Sequence, residues 1–412
     1  MAIDPCPRRH RSPGRRRGGP SAGVAAPAIP ALCVAAALAV LAALAGMSAR
    51  AAQVRAAPPP PTGTAAARTF ALQVAAGSGA GDYPAHALVH VWADPPPDGS
   101  IFDRWTGNLE PLIDRYAAHT TLVMPAAKVT LRAVFKRAAT CLPQTETLSG
   151  VEVTRCFPER HSGVIFLFHG GEGTGASFFF WTEPRQFVAD AAAAGFALIA
   201  LDSVDREHRT WQLEAQGENP DLQHVRAVLA SFLGRRLIAR GEPVYALGAG
   251  SGGNFAARVA QSLPCKAAAI FFAPGFLPAG YAVPTIWLMA QNQAQRQPQA
   301  LAAYTRLVHD QVPAKFDIND ASPVFPLRFH RIRGVDPEQS RAIYAFLEEK
   351  RYLGAGDMLA QDPETSGWET ALPQRFAKLR GGIREQLAVC FGLARFYSDF
   401  DTRILDFFNE HR

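Results

Sequence analysis

Alternating apolar and polar residues characterise the segment 69–137. Glycine- and proline-rich stretches at 77–81 and 95–99 interrupt the alternation and favour turns. The alternating stretches have the period of two that is typical of half-buried β-strands. They begin at Phe70, Ala87 and Val129. The pattern therefore predicts a small all-β module over residues 69–137.

From about Ser162 onward, short apolar runs alternate with segments of helical spacing. The strand-like runs begin at Gly163, Gly195, Val244, Ala267, Pro284 and Lys315. The helical segments are Gln186–Ala194, Asp221–Arg240, Asn254–Leu263, Pro298–His309, Glu385–Tyr397 and Thr402–His411. Strands that alternate with helices indicate a mainly parallel sheet with crossover helices. Residues 138–412 are therefore expected to form an α/β domain.

The first 51 residues combine a basic segment, an apolar run and a small-residue exit. Arginines up to Arg17 precede the apolar run Ala31–Gly46, and Ala49-Arg50-Ala51 follows it. This is the arrangement of a secretory signal peptide. The run is shorter than the roughly 20 residues of a membrane-spanning helix; an uncleaved anchor is the alternative. We expect a protein exported to the periplasm, the cell surface or the medium, with no membrane span in its mature chain and a Pro/Ala-rich linker at 52–68.

The basic excess of the chain is confined to this signal. The whole chain has 42 Lys and Arg against 36 Asp and Glu, a net charge of +6. Removal of residues 1–51, with seven arginines and one acid, leaves 35 basic and 35 acidic residues. A chain without a basic excess has no electrostatic attraction for the phosphate backbone. Nucleic acid is therefore not expected as a partner.

Export would also bring the cysteines into a compartment where they can form disulfides. An oxidising compartment permits disulfides. Cys141 and Cys156 lie 15 positions apart, and we expect them to pair at the junction between the β module and the α/β domain. Four free buried thiols, with Cys265 and Cys390, are the alternative. No Cys/His cluster has the spacing of a zinc site, and neither a metal nor a cofactor is expected.

Two glycine-rich segments carry the candidate chemistry. His169, Gly170 and Gly171 directly follow a strand-like run. Such a loop in α/β-hydrolases donates a backbone N–H to the oxyanion of a tetrahedral intermediate. A plain glycine-rich turn is the alternative, as is a phosphate cradle, although the lysine of a P-loop is absent.

The second segment, Gly248–Gly253, joins a strand-like run to a helical one, where a nucleophile elbow belongs. Two registers fit the motif. In the first, Gly250 is at the apex, no nucleophile is present, and Ser251 offers its backbone N–H. In the second, Ser251 is at the apex as the nucleophile. Gly250 and Gly252 join the His169–Gly171 loop as candidates for oxyanion binding.

A working triad also needs an acid and then a histidine later in the chain. Downstream of Ser251 the histidines are His309, His330 and His411. His330 follows the last strand-like run and is the best candidate for the base. Asp317 and Asp320 are candidate acids.

The β module resembles a known family. The segments Phe102–Gly107, Met124–Ala127 and Val134–Lys136 are similar to those of bacterial repeats related to internalin B repeats. Modules of that family occur on exported bacterial proteins as spacers or adhesive units, so the resemblance implies a surface location. Trp105 is expected in the core of the module, which needs one large aromatic side chain.

The chain from Ser162 to the C-terminus resembles the exported and plant α/β-hydrolase-like proteins. The resemblance rests on the His169–Gly171 loop, the Gly248–Gly253 turn and Gly334–Ser340. It implies an α/β-hydrolase fold and a serine ester or acyl hydrolase. Relatives have an acid where this chain has Asn292 and a histidine where it has Ala394, which implies a degenerate triad.

Two functions therefore remain open. One is an exported serine hydrolase of the esterase type that acts on a small-molecule ester. The other is a non-catalytic protein of the same fold that binds a ligand at the cell envelope. The sequence predicts no oligomeric state.

Overall fold

The computed structural model describes residues 68–412, apart from residues 140, 172, 215–218 and 294. The expected signal peptide lies outside the described residues, as does all but the last residue of the expected linker. The described chain contains an all-β N-terminal region followed by a large mixed sheet with helices, so the predicted fold class is confirmed. Within the described ranges, no helix is both long enough and apolar enough to span a bilayer.

Two small sheets form the β module. One has the order β3-β1-β7-β5 and the other β2-β4-β6. The strands are β1 (Thr69–Ala75), β2 (Gly77–Ser78), β3 (Gly81–Pro84), β4 (Leu88–Ala93), β5 (Ser100–Gly107), β6 (His119–Val123) and β7 (Val129–Arg137). Trp105 is fully buried, and its Nε1–H donates to the Ala117 carbonyl at 3.0 Å. The prediction that this side chain forms the core is confirmed.

An eight-stranded sheet in the order β15-β14-β13-β12-β10-β11-β9-β8 forms the α/β domain. Its strands are β8 (Gln144–Leu148), β9 (Val151–Cys156), β10 (Val164–Phe168), β11 (Ala197–Leu201), β12 (Val244–Ala249), β13 (Ala267–Phe271), β14 (Thr285–Ala290) and β15 (Ala314–Asn319). The hairpin β8–β9 joins antiparallel to β11, and the other neighbours are parallel. This is the strand order of the α/β-hydrolase fold.

Helices cover both faces of this sheet, which explains why its central strands are continuously apolar. The α-helices are α1 (Ser177–Phe180), α2 (Thr182–Ala193), α3 (Pro220–Gly234), α4 (Ser251–Ser262), α5 (Gln297–His309), α6 (Pro337–Glu349), α7 (Trp368–Ala371), α8 (Arg380–Cys390) and α9 (Asp401–Glu410). Short 3-10 helices lie at Arg328–Arg331, Ala355–Asp357 and Gln374–Leu379.

The predicted helix Glu385–Tyr397 is wrong at its C-terminal end. Helix α8 ends at Cys390, and Gly392 has a φ of +71° that an α-helix does not accommodate. Residues 391–400, called here the cavity loop, are irregular up to the start of α9. This loop contains Ala394.

A disulfide lies at the junction between the two parts of the described chain, just after the β module. Cys141 and Cys156 are bonded, with Cα atoms 5.5 Å apart, and Cys156 lies at the end of β9. Cys265 and Cys390 are free and buried. The predicted pairing is confirmed.

Candidate functional site

The turn between β12 and α4 has Gly250 at its apex. Gly250 has φ +56° and ψ −120°, a conformation that side-chain-bearing residues rarely adopt. A Cβ at Gly248 would overlap the Gly252 carbonyl, and one at Gly252 would overlap the Phe168 carbonyl. Gly248 and Gly252 are therefore the positions of close approach on either side of Gly250, which is the arrangement that the first register predicts.

Ser251 is consequently the first residue of α4, one position past the apex. Its Oγ is buried and has no hydrogen-bond partner in the described part of the chain. His330 lies in the 3-10 helix Arg328–Arg331 and lines a different cavity, next to the β module. Within the described ranges no hydrogen bond joins the two side chains, so the structure does not bring Ser251 and His330 together.

The other triad candidates also have their own surroundings. His309 is exposed beside Asp310, and His411 packs on Phe407. Asp317 accepts from Arg403 at 2.8 Å, while burial raises the pKa of Asp320. None of these four lines the cavity at Gly250.

The apex cavity, as we call it, has a volume of about 290 Å³ and lies over Gly250. Its described lining comprises His169, Gly170, Gly171, Gly173, Ser177, Phe178, Trp181, Pro184, Ala249, Gly250, Phe272, Arg296, Glu385, Ala394, Arg395 and Phe396. Gly252 is not among them; it packs behind the turn against β10. The predicted oxyanion loop and Gly250 are therefore brought to one cavity, while Gly252 serves the close approach of helix and strand.

His169 fixes the oxyanion loop in place. The Ser203 N–H donates to its Nε2 at 3.1 Å, so the ring proton is on Nδ1, which donates to the Gly170 carbonyl at 2.8 Å. Trp211 donates to the His169 carbonyl at 2.8 Å. Burial lowers the pKa of His169 and keeps the ring neutral. With both nitrogens engaged, this side chain positions the loop and is not a free base.

Asn292 and Ala394 meet at the cavity loop. The Asn292 side chain donates to the Phe391 carbonyl at 2.6 Å, and its backbone N–H donates to the Gly392 carbonyl at 2.8 Å. Asn292, which follows β14, thus anchors the base of the loop that carries Ala394 into the apex cavity. Gly250 and Ala394 line one cavity, as a nucleophile and a base must.

A buried ionic network holds the other end of the cavity loop. Glu183, in the first turn of α2, is completely buried and accepts from the Ser398 N–H at 2.9 Å and from its hydroxyl at 2.7 Å. Arg331 binds the same carboxylate at 3.0 Å, and Arg328 at 3.2 Å. Burial alone would raise the pKa of Glu183, but the two guanidinium groups hold it well below its usual range. Asp399 pairs with Arg331 at 2.7 Å.

The sequence interpretation did not identify the aromatic wall of the cavity or the Glu183 network. Phe178 and Trp181 belong to the run Ser-Phe-Phe-Phe-Trp, and this density of aromatic residues near a glycine-rich loop was a usable signal. The Glu183–Arg331 contact had no such signal, because it joins residues far apart in the sequence.

A comparison with family models identifies the β module. Residues 71–139 match the family model of the divergent InlB B-repeat domain. This confirms the predicted repeat. No curated protein matches the chain.

Solved structures of hydrolases and esterases are similar to this chain at low sequence identity. Dienelactone hydrolase from Anabaena variabilis ATCC 29413 is 17% identical with a TM-score of 0.34, over 52% of this chain and 97% of that chain. A putative esterase from Staphylococcus aureus is 11% identical with a TM-score of 0.33, over 44% and 75%. An esterase/lipase from an uncultured bacterium is 15% identical with a TM-score of 0.32, over 53% and 87%.

Proposed function

We propose that this chain is an exported α/β-hydrolase-fold protein that binds a small molecule in the apex cavity and does not hydrolyse it. The observation that carries the proposal is Gly250 at the apex of the elbow turn, with φ +56° and ψ −120°. An enzyme of this fold attacks its substrate with the side chain at that position. Gly250 has no side chain and therefore no nucleophile.

Two further positions support a degenerate triad. Ala394 lines the cavity beside Gly250 and has no group that accepts a proton. Asn292 follows β14, where the resemblance implies an acid, and its amide donates to the cavity loop. Loss of the serine or histidine of a triad costs on the order of 10⁶ in turnover. The cavity, the oxyanion loop and the strained turn nevertheless keep the shape of a binding site.

The second candidate function is a serine ester or acyl hydrolase that uses Ser251. It is favoured by one observation, the buried Ser251 Oγ without a partner among the described residues. Ser251 directly follows the apex residue Gly250 along the chain. A base would have to reach it by rearrangement, because His330 lines another cavity.

A location at the cell surface or in the envelope completes the proposal. The divergent InlB B-repeat match supports a surface-associated protein, and the N-terminal segment has the pattern of an export signal. The ligand would then be a small molecule or an envelope component that reaches the protein outside the cytoplasm.

The experiment treats purified protein with p-nitrophenyl butyrate and with a fluorophosphonate that labels activated serines. We expect turnover at the buffer background, no label, and no change in the Ser251→Ala variant. Ester turnover that disappears in Ser251→Ala would overturn the proposal in favour of the hydrolase.

A gain-of-function variant tests the same point in the opposite direction. A Cβ at Gly250 would meet only the Gly170 Cα, at 3.8 Å, so the turn has room for a serine. We expect the combined Gly250→Ser, Asn292→Asp and Ala394→His variant to take up fluorophosphonate on the peptide that contains position 250. Gly250→Ala with the same two other changes is the matched control and should remain unlabelled.

A further inference from the structure

The apex cavity combines aromatic walls with a cationic rim. We infer that its ligand is a small carboxylate with an apolar body, held by Arg296 at the charged end and by the aromatic wall at the other. This inference rests on the proposed binding function and adds the chemical class of the ligand.

The apolar body follows from the walls. Phe178, Trp181, Phe272 and Phe396 all line the cavity. The rings of Phe178 and Phe396 meet edge to face with centroids 6.0 Å apart. Aromatic walls of this kind bind flat or aliphatic groups by burial of apolar surface. The volume of about 290 Å³ lies at the lower end of the roughly 300–1,000 Å³ of small-molecule sites, which favours a small ligand.

Most polar side chains of the described lining are already engaged within the protein. Both ring nitrogens of His169 are used. The Ser177 hydroxyl accepts from the Thr174 N–H at 2.9 Å. Glu385 is the one carboxylate among the described lining residues, and it accepts from the Thr182 and Glu183 N–H groups at 3.1 Å each. These groups shape the cavity rather than recognise a ligand.

Arg296 uses only part of its N–H donors within the described part of the chain. It lies just before α5, is exposed, and donates one N–H to the Phe272 carbonyl at 3.2 Å. In the described part of the chain it makes no ion pair, whereas Arg395 pairs with Glu364 at 3.3 Å. A guanidinium group has five N–H donors in a planar fork that matches a carboxylate. The free end of Arg296 therefore favours a carboxylate at the mouth of the cavity.

Matched probes test the inference directly. Isothermal titration calorimetry compares 4-phenylbutyrate with 4-phenylbutan-1-ol, which has the same apolar body and no charge. We expect the carboxylate to bind about tenfold or more tightly, the scale of one charge-assisted contact. The Arg296→Gln variant should bind both probes with the affinity of the alcohol, and Arg296→Lys should keep part of the preference.

Arg306→Gln is the matched control, because Arg306 is exposed on the following helix α5 and does not line the cavity. It should leave both affinities unchanged. Equal binding of acid and alcohol, or a preference that survives in Arg296→Gln, overturns the inference and leaves the binding function intact. Binding of neither probe overturns it as well. Failure of the proposed function appears separately, as Ser251-dependent ester turnover.

Discussion

The guanidinium carbon of Arg331 lies 4.4 Å from the centroid of the Trp92 ring, and that of Arg328 lies 4.6 Å from it. Trp92 belongs to β4 of the β module, whereas both arginines belong to the α/β domain. The tryptophan is only 4% exposed, so its contact with the arginines is a desolvated one. Cation–π contacts of this kind are stronger when they are desolvated.

The Trp92→Ala variant should therefore lose stability. We expect a decrease of about 3–5 kcal/mol in the free energy of unfolding, typical of removing a buried aromatic side chain. Leu88→Ala, on the same strand but 62% exposed, is the control and should change by less than about 0.5 kcal/mol. Urea denaturation followed by circular dichroism measures both. Equal effects of the two variants would show that the contact does not stabilise the protein.

The Glu183→Gln variant should also be less stable than wild type, because it removes a buried charge. The substitution leaves Arg328 and Arg331 in the interior with only Asp399 as a carboxylate partner. Breaking a buried ion pair by removal of one partner costs about 3–5 kcal/mol. The control is Glu349→Gln, which breaks an exposed pair with Lys350 and should cost less than about 1 kcal/mol. Thermal and urea unfolding should rank the two variants in this order.

The raised pKa of Asp190 predicts that the stability of the protein depends on pH. Burial raises its pKa from 3.8 to about 6, and Asp401 faces it from the start of α9 with a pKa that burial also raises. Gln186 donates to Asp190, and Lys136 and Arg331 are the nearby cations that lower its pKa. Because the folded state holds the proton more tightly, this contribution is complete below pH 3.8 and is lost as the pH rises through about 6.

The measurement is the difference in unfolding free energy between wild type and Asp190→Asn across this range. Relative to the variant, wild type should lose up to about 3 kcal/mol between about pH 4 and pH 7. Ionisation of Glu183 is common to both proteins and cancels in the difference. A difference that is constant with pH would contradict the prediction.

The Cys141–Cys156 disulfide closes a loop with a sequence separation of 15. A cross-link over that length contributes about 3 kcal/mol by restricting the unfolded chain. Adding a reductant should therefore lower the unfolding midpoint of wild type. The midpoint of the Cys141→Ser variant should already be lower and should not respond to the reductant. A response in the variant would point to another reducible group.

Two glycine substitutions at the elbow turn should distinguish the cost of backbone strain from the cost of steric overlap. Gly250→Ser places a side chain at a positive φ but without steric overlap, because its Cβ would meet only the Gly170 Cα, at 3.8 Å. It should cost about 1–3 kcal/mol. Gly252→Ser places a Cβ on the carbonyls of Phe168 and His169, which are backbone and cannot move aside. The second variant should therefore be much less stable than the first, as measured by thermal unfolding. The reverse order would show that Gly250 is not at the apex.

Much of this fold follows from hydropathy alone. The strands from Val164 to Phe168 and from Ala267 to Phe271 are continuously buried, so their apolar runs identify them. Hydropathy does not identify the edge strand Gln144–Leu148 of the hairpin β8–β9, because this strand is largely polar and exposed. An edge strand with one neighbour is identified by its pairing, which a single sequence does not contain.

The site was harder to predict than the fold. Two glycine registers fitted the turn, the one with Gly250 at the apex better than the other, and the position of the apex depends on how closely α4 approaches β10. That distance is a tertiary quantity. His330 follows the last strand, as the base of a triad must, but it lines a different cavity, together with residues of the β module.

Arg331 contacts both parts of the described chain, and this limits where the chain can be truncated. Arg331 contacts Trp92 on one side and, through Glu183 and Ser398, supports the cavity loop on the other. A truncation near residue 138 would follow the limit of the repeat family, yet it would strip the cover from Arg328 and Arg331. The boundary of the repeat family therefore differs from the boundary of the compact unit, which comprises residues 68–412, and the repeat supports the arginines that hold the cavity loop.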